Sequence, residues 1–232
     1  MPDEPFYLGM QTKLTSTGKN WGPGSLTYYN SPGFVFTRWG DMKPESVRPT
    51  TDGTSLLSDH EGKHASVKVL RKWAKGRYTY RLDRGETVTM DDGVHTWAAA
   101  SVTYHTSKET FSLGSLRFPG RELSSDWRFA GFVEVYGYHV IKPPKELPSF
   151  RLAYGNWRIN GRPMDPTDIQ VSYPEEVPQV AEAKPIKQFV ADGECDKSAD
   201  LPTGVDAVGI VIRSKPMNRR PGSYVNWPVP KR

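Results

Sequence analysis

The chain has 232 residues, a formal net charge of +5 and 36% hydrophobic residues, which suits one large β domain or one domain with an appendage. Its single cysteine, Cys195, excludes an internal disulfide framework and a cysteine-rich zinc site. No apolar run approaches the roughly 18 residues of a membrane span, and the opening MPDEPFYLGM has no signal-peptide pattern, so we predict neither feature.

Glycine and proline, at 21 and 20 residues, interrupt almost every window that is long enough for an α-helix. Apolar and polar residues alternate between these breaks, which is typical of β-strands. The sequences Asp91-Asp92-Gly93 and Asn160-Gly161 are hairpin turn signals. We therefore predict an all-β protein, an antiparallel β-sandwich of jelly-roll or lectin-like type. In chain order, the predicted strands are 33–39, 66–70, 78–82, 87–90, 94–104, 111–118, 131–141 and 153–159.

The composition changes after Pro163, where prolines punctuate an acidic and polar stretch, PEEVPQVAEAKP. We predict a sandwich domain at residues 1–163 and a Pro-rich linker or arm at residues 164–232, within which residues 205–212 could return one strand. Basic residues cluster near the end of the sequence, where they can attract nucleic acid or anionic polysaccharide but more often only improve solubility. No RNA- or DNA-binding signature accompanies them, so we predict no nucleic-acid partner; the oligomeric state stays open.

The string His60-Glu61-Gly62-Lys63-His64 matches the His-Glu-x-x-His pattern of zinc peptidases. That pattern works on a helix, which places both histidines on one face to bind zinc while the glutamate acts as general base. Here Gly62 weakens a helix by about 1 kcal/mol relative to alanine, and an alternating strand pattern follows directly. On a strand the two histidines would stand ~13 Å apart, too far to share one ion. We therefore predict a loop entering a strand, with no bound metal and no other cofactor.

The seven tryptophans are candidates for sugar binding, because exposed aromatic rings can stack on the apolar faces of sugars. Trp21 and Trp39 border glycine-rich turns and are the predicted carbohydrate-binding residues. Trp73, Trp97 and Trp157 lie within strand patterns, which favours a place in the core.

Carboxylates offer an enzymatic alternative on the same fold. Glu134 lies between two valines in a predicted strand, where it is either paired in the interior or directed into a cleft. An enzyme that cleaves polysaccharide could use Glu61 or Glu134, with His60 or His64 as the proton-transfer partner. These four residues are the catalytic candidates. The absence of a Gly-x-Ser-x-Gly sequence argues against a serine hydrolase.

Six short motifs follow one another along residues 6–163: Tyr7-Leu8-Gly9-Met10-Gln11, Phe34-Val35-Phe36-Thr37-Arg38-Trp39, His60-Glu61-Gly62, Trp73-x-x-Gly76-x-Tyr78-x-Tyr80, Gly131-Phe132-Val133-Glu134 and Tyr154-Gly155-Asn156. In these motifs the chain resembles a bacterial family of unknown function whose members are mostly secreted or surface β-sandwich proteins, some with adjacent carbohydrate-binding-like modules. The resemblance implies a β-sandwich fold and an extracellular or cell-surface location. Glu61 and Gly62 match the family's Gly-Glu-Gly-x-Gly pattern, whereas His60 and His64 depart from it.

The leading functional hypothesis is glycan recognition on a sandwich face, with a polysaccharide as the expected partner. A polysaccharide-cleaving hydrolase or lyase is the first alternative, so whether the protein is an enzyme stays open. A structural or assembly protein, whose Pro-rich arm reaches a neighbouring subunit, is the second alternative. A zinc peptidase has the least support, because its motif lacks the helical context.

Overall fold

The computed structural model describes residues 6–16, 25–30, 32–40, 42–60, 62–135, 151–164, 168–172, 181–186, 209–214 and 224–228. These residues form β-strands joined by turns, with one short 3-10 turn and no α-helix. Every strand pair between them is antiparallel. The predicted all-β antiparallel class is therefore confirmed. Within these ranges, no helix is long and apolar enough to span a bilayer.

The chain divides into two compact units, Asp3–Tyr136 and Gly137–Arg232. The first unit has a six-stranded and a four-stranded sheet that face each other as a sandwich. Its described elements are β1 (Phe6–Ser16), β2 (Ser25–Asn30), β3 (Gly33–Trp39), the 3-10 turn η1 (Pro44–Ser46), β4 (Val47–Pro49), β5 (Gly53–Ser58), β6 (His64–Leu70), β7 (Tyr78–Met90), β8 (Gly93–Tyr104), β9 (Glu109–Pro119) and β10 (Leu123–Val135). The six-stranded sheet has the order β10-β1-β2-β3-β6-β5, and the four-stranded sheet has the order β4-β9-β8-β7.

The core of the first unit follows from the alternation of side chains along β3. Phe34 and Phe36 share one face of the strand and are fully buried. Phe36 stacks on Phe118 of β9 with ring centroids 6.3 Å apart, and Phe34 meets Phe111 edge to face at 5.3 Å. Burying each such ring contributes about 1.5–3 kcal/mol, so these contacts hold the two sheets together. The other buried apolar residues are Val35, Ala65, Val67, Val69, Trp97, Ala98, Ala100, Val102, Leu113 and Leu116.

Both predicted hairpin turns are confirmed. β7 and β8 pair directly across Asp91–Gly93, where Gly93 has a φ of +122°. Asn160 and Gly161 have φ values of +50° and +76°, which is the pair of positive angles that a type I′ hairpin requires. The strand predicted at 131–141 is described as far as Val135, and its remainder lies outside the described residues.

The described part of the second unit consists of short antiparallel pairs. β16 is the central strand of the order β11-β16-β15, while β12 pairs with β13 and β14 pairs with β17. The strand predicted at 205–212 is described over Gly209–Ser214, and the predicted domain division at Pro163 stays a prediction. The strands are β11 (Arg151–Gly155), β12 (Arg158–Ile159), β13 (Arg162–Pro163), β14 (Asp168–Ser172), β15 (Ala181–Ile186), β16 (Gly209–Ser214) and β17 (Tyr224–Pro228).

Candidate functional site

The described residues of the His-Glu-x-x-His string lie in the connection from β5 to β6 and at the start of β6, and not on a helix, as the sequence predicts. The backbone N–H of His60 donates to Ser58 Oγ at 3.1 Å. His64 begins β6, and its Nδ1 donates to the carbonyl oxygen of Gly62 at 3.0 Å. Glu61 lies outside the described residues. Where side chains are described, no group of three His, Cys, Asp or Glu residues could hold a metal ion.

Trp39 is the last residue of β3 and pairs across the sheet with His64. Its ring centroid lies 6.1 Å from that of His64, with the ring planes tilted by 46°. Trp39 is half-buried, so part of its surface is available for contact. Trp21, the other tryptophan predicted to bind sugar, lies outside the described residues.

Glu134 and His64 lie at opposite ends of the six-stranded sheet. Across the sheet, the residue of β6 in register with Glu134 is Leu70. Leu70 lies six residues from His64 along β6. At the usual rise per residue this separates the two ends by about 20 Å, and the four strand steps between β10 and β6 add a sideways distance of about 19 Å. The strand register therefore does not bring Glu134 together with the histidines. Its side chain is outside what the structure describes.

The Leu70 end of the sandwich holds a recess of about 220 Å³, which we call the aromatic recess. Phe34 of β3 forms its floor. Its walls come from the ends of β7, β8 and β9 and from the chain that follows β6. These elements meet because both sheets end here. The lining residues are Phe34, Arg71, Lys72, Ala74, Tyr78, Tyr104, Glu109 and Phe111.

Three aromatic rings are stacked at this end of the sandwich. Tyr78 has Trp73 at 4.3 Å on one side and Tyr104 at 4.6 Å on the other, measured between ring centroids. The ring planes differ by 26° and 12°, so the contacts are face to face. All three residues are half-buried, whereas Phe34, 5.6 Å from Tyr78, is fully buried. The recess thus has an apolar floor and a partly exposed aromatic wall.

Residues 71–77, which we call the crossing segment, lead from β6 in one sheet to β7 in the other. The Tyr78 hydroxyl donates to the carbonyl oxygen of Ala74 at 3.0 Å and accepts from the N–H of Ala74 at 3.1 Å. The Tyr104 hydroxyl donates to the carbonyl oxygen of Lys75 at 2.8 Å. A Cβ atom on Gly76 would lie 2.5 Å from Cε2 of Tyr104. Glycine therefore allows the segment to pass this close to the Tyr104 ring. The aromatic wall and the crossing segment therefore hold each other in place.

Charged groups surround the recess. The Arg71 guanidinium lies 4.6 Å from the centroid of the Phe111 ring and forms an ion pair with Glu109. Lys72 also lines the recess and is exposed. These groups offer both donors and an acceptor at the mouth of an apolar site.

His105, next to Tyr104, holds the end of the crossing segment. Arg77 Nη2 donates to His105 Nδ1 at 3.2 Å, which leaves His105 Nε2 to donate to Thr79 Oγ1 at 2.7 Å. Desolvation, helped by the charge of Arg77, lowers the pKa of His105 below its ordinary value. Both effects favour the neutral imidazole, which is the form that can accept a hydrogen bond from Arg77 at Nδ1.

A second polar cluster lies at the hairpin between β7 and β8. Asp92 accepts hydrogen bonds from Lys43 Nζ at 3.0 Å and from His95 Nε2 at 2.7 Å. These hydrogen bonds lower the pKa of Asp92 to about 2, and the bond from Lys43 has the larger effect of the two. The cluster joins the hairpin to the chain that precedes η1, which gives it a structural role.

Sequence patterns missed the aromatic recess. Trp97 is buried as predicted, with the Arg48 guanidinium 3.8 Å from its ring centroid. Trp73, however, lies on the crossing segment and is half-buried, where a strand and a core position were predicted. The available signal was the run Arg-Lys-Trp-Ala-Lys-Gly-Arg at residues 71–77, in which one aromatic residue stands among four cations.

No family model, curated protein or solved structure matches the chain. The resemblance to a secreted bacterial sandwich family therefore stays a prediction from the six motifs. Function has to be argued from the geometry of the site.

Proposed function

We propose that the protein recognises glycans through the aromatic recess. The main support is the half-buried stack of Trp73, Tyr78 and Tyr104 beside a recess with charged groups at its mouth. Aromatic rings attract the apolar C–H faces of sugars, and charged or polar groups pair with the hydroxyls. Small-molecule sites commonly combine such an apolar concave surface with a few polar groups.

Hydrogen bonds and stacking hold the aromatic wall in place without a ligand. The hydroxyls of Tyr78 and Tyr104 are both bonded to the crossing segment, and their rings are stacked on each other. A site that is already ordered pays little additional conformational entropy on binding. This favours recognition by the existing surface over recognition by a folding loop.

Binding without cleavage is the better supported form of this proposal. Glycoside hydrolysis ordinarily uses two carboxyl groups on opposite sides of the scissile bond. Among the residues that line the recess, Glu109 is the one carboxylate, and it is engaged by Arg71. The alternative pair of Glu134 with His60 or His64 is separated along and across the sheet.

A glycan-binding role also fits the extracellular or cell-surface location that the family resemblance implies. We include that location in the proposal. Carbohydrate polymers are concentrated there, so a lectin-like protein would meet its partner directly.

A glycan array followed by calorimetric titration of the best ligand tests the proposal. Tyr104→Leu keeps an apolar side chain but removes the ring, and we expect affinity to fall about three- to tenfold. Trp39→Leu is the matched control at the other end of β3 and should bind normally. Weaker binding by Trp39→Leu together with normal binding by Tyr104→Leu would place the site at Trp39. Release of reducing sugars or unsaturated products would instead favour the enzyme.

A further inference from the structure

We infer that the glycan is anionic, with carboxylate or sulfate groups that meet the cations of the crossing segment and of the turn before β9. This inference rests on the proposed glycan function and adds the chemical class of the ligand.

The recess has more positive than negative charge around it. Its one acidic lining residue, Glu109, is already paired with Arg71. Lys72 is exposed on the lining and has no carboxylate partner among the described residues. A ligand entering the recess therefore meets an unneutralised ammonium group.

Two further cations lie next in sequence to residues of the recess. Lys75 directly precedes Gly76, which passes against the Tyr104 ring, and Lys108 directly precedes the lining residue Glu109. Neither has a carboxylate partner within the described ranges. Other cations of the same unit are neutralised, as in the pairs Lys43 with Asp92 and Arg81 with Asp83.

The backbone of the crossing segment is fixed beside the recess, because Tyr78 and Tyr104 hold the carbonyl oxygens of Ala74 and Lys75. The side chain of Arg77 bonds to His105, which lies with Thr79 on the outer face of the four-stranded sheet, so Arg77 does not face the recess. Lys72, on the lining, supplies the unpaired charge of this segment. This arrangement favours a ligand that brings the negative charge itself.

A neutral sugar would bind this site weakly. It would cover the ammonium of Lys72 without a counter-charge, and removing a charged group from water without a partner is costly. An acidic sugar of the same shape would stack equally well and would also form charge-assisted hydrogen bonds. The charged groups at the recess thus favour an acidic sugar over a neutral sugar of the same shape.

Single-stranded nucleic acid is the other ligand with flat rings and negative charge. Its binding sites are grooves that follow a backbone over several nucleotides and stack successive bases. Here four aromatic residues, Phe34, Tyr78, Tyr104 and Phe111, line one recess of about 220 Å³, and they do not extend along a groove. We therefore favour an acidic glycan, and an oligonucleotide becomes a control ligand.

The test compares a panel of uronic-acid oligosaccharides with the same oligosaccharides after reduction of their carboxyl groups to alcohols. Calorimetry on the full chain should give at least tenfold weaker binding for the reduced forms. Binding of the acidic form should also weaken between low and high salt, because exposed charges are screened. Lys72→Glu should weaken the acidic ligand alone, whereas Lys63→Glu, an exposed charge reversal in the β5–β6 turn, should change nothing.

Each result bears on a different claim. If acidic and reduced sugars bind equally and Tyr104→Leu weakens both, the glycan site stands and the inference about charge is wrong. If neither sugar binds and Tyr104→Leu has no effect on any ligand of the array, the proposed function itself is wrong. If a deoxythymidine oligonucleotide binds more tightly than every sugar and Lys72→Glu abolishes that binding, the ligand is nucleic acid and the inference is overturned. Near-ultraviolet circular dichroism of each variant confirms that it is folded.

Discussion

The hydroxyl of Tyr104 donates a 2.8 Å hydrogen bond to the carbonyl oxygen of Lys75, and this contact ties β8 to the crossing segment. Tyr104 thereby has two roles. Its ring completes the stack with Tyr78, and its hydroxyl holds the backbone of the crossing segment at Lys75. The two roles can be separated, because phenylalanine keeps the ring and loses the hydroxyl.

Tyr104→Phe should loosen the crossing segment while the aromatic wall remains. One hydrogen bond of this kind contributes about 0.5–1.5 kcal/mol, so global stability should fall by no more than that. Amide hydrogen exchange at Lys75, Gly76 and Arg77 should accelerate, and glycan affinity should fall less than in Tyr104→Leu. Unchanged exchange at these three amides would show that the hydroxyl does not hold the segment.

Gly76→Ala should disrupt the recess more than it disrupts the fold. The added Cβ would lie 2.5 Å from the Tyr104 ring and 2.8 Å from Thr106 Oγ1, so the ring or the segment must move. Gly93→Ala is the matched control, since its φ is also positive but nothing lies within 4 Å of its Cβ. Both variants should lose about 1–3 kcal/mol from backbone strain, measured by urea unfolding. Glycan binding should be lost in Gly76→Ala alone, and its loss in both variants would remove the steric explanation.

The Asp92 cluster should make stability depend on pH in the acidic range. Hydrogen bonds from Lys43 and His95 depress the folded-state pKa of Asp92 from 3.8 to about 2. A depressed carboxyl pKa adds stability that is present above about pH 4 and is lost as the pH falls through 2. Urea unfolding between pH 5 and 2 should therefore show a steeper loss for the wild type than for Asp92→Asn. Parallel curves for the two proteins would mean that Asp92 is not linked to folding.

The purified protein should carry no stoichiometric zinc at His60 and His64. These residues lie in and after a hairpin turn, and His64 Nδ1 is engaged by the carbonyl oxygen of Gly62. A zinc peptidase site needs both histidines on one helical face. Elemental analysis of the protein and of His64→Ala should give the same low zinc content. Near-stoichiometric zinc that disappears in His64→Ala would support the metalloenzyme alternative.

The fold could be predicted where local patterns decide the structure. The aromatic alternation of residues 33–39 corresponds to β3 from Gly33 to Trp39, and the turns at Gly93 and Gly161 follow from residues that accept positive φ. β5, with the sequence Gly-Thr-Ser-Leu-Leu-Ser, was not predicted because its apolar residues do not alternate. Its pairing with β6 supplies the hydrogen bonds that the pattern does not reveal.

The candidate site could not be predicted from the sequence, because it is assembled from distant parts of the chain. Phe34, Tyr78, Tyr104 and Phe111 come from four different strands and meet only because both sheets end at the same place. Trp73 follows an apolar strand, so its neighbours in sequence indicated a core position. Only the tertiary structure shows that it lies on a connection between sheets, half-buried beside the recess.

The most direct test of the central claim is a titration followed by NMR of the indole N–H groups of the seven tryptophans. With the best acidic oligosaccharide from the array, we expect the signal of Trp73 to shift, because its ring is stacked on Tyr78 at the recess. The signal of Trp39 should stay in place, since that residue lies at the other end of β3. A titration in which Trp39 shifts and Trp73 does not would contradict a glycan site at the aromatic recess.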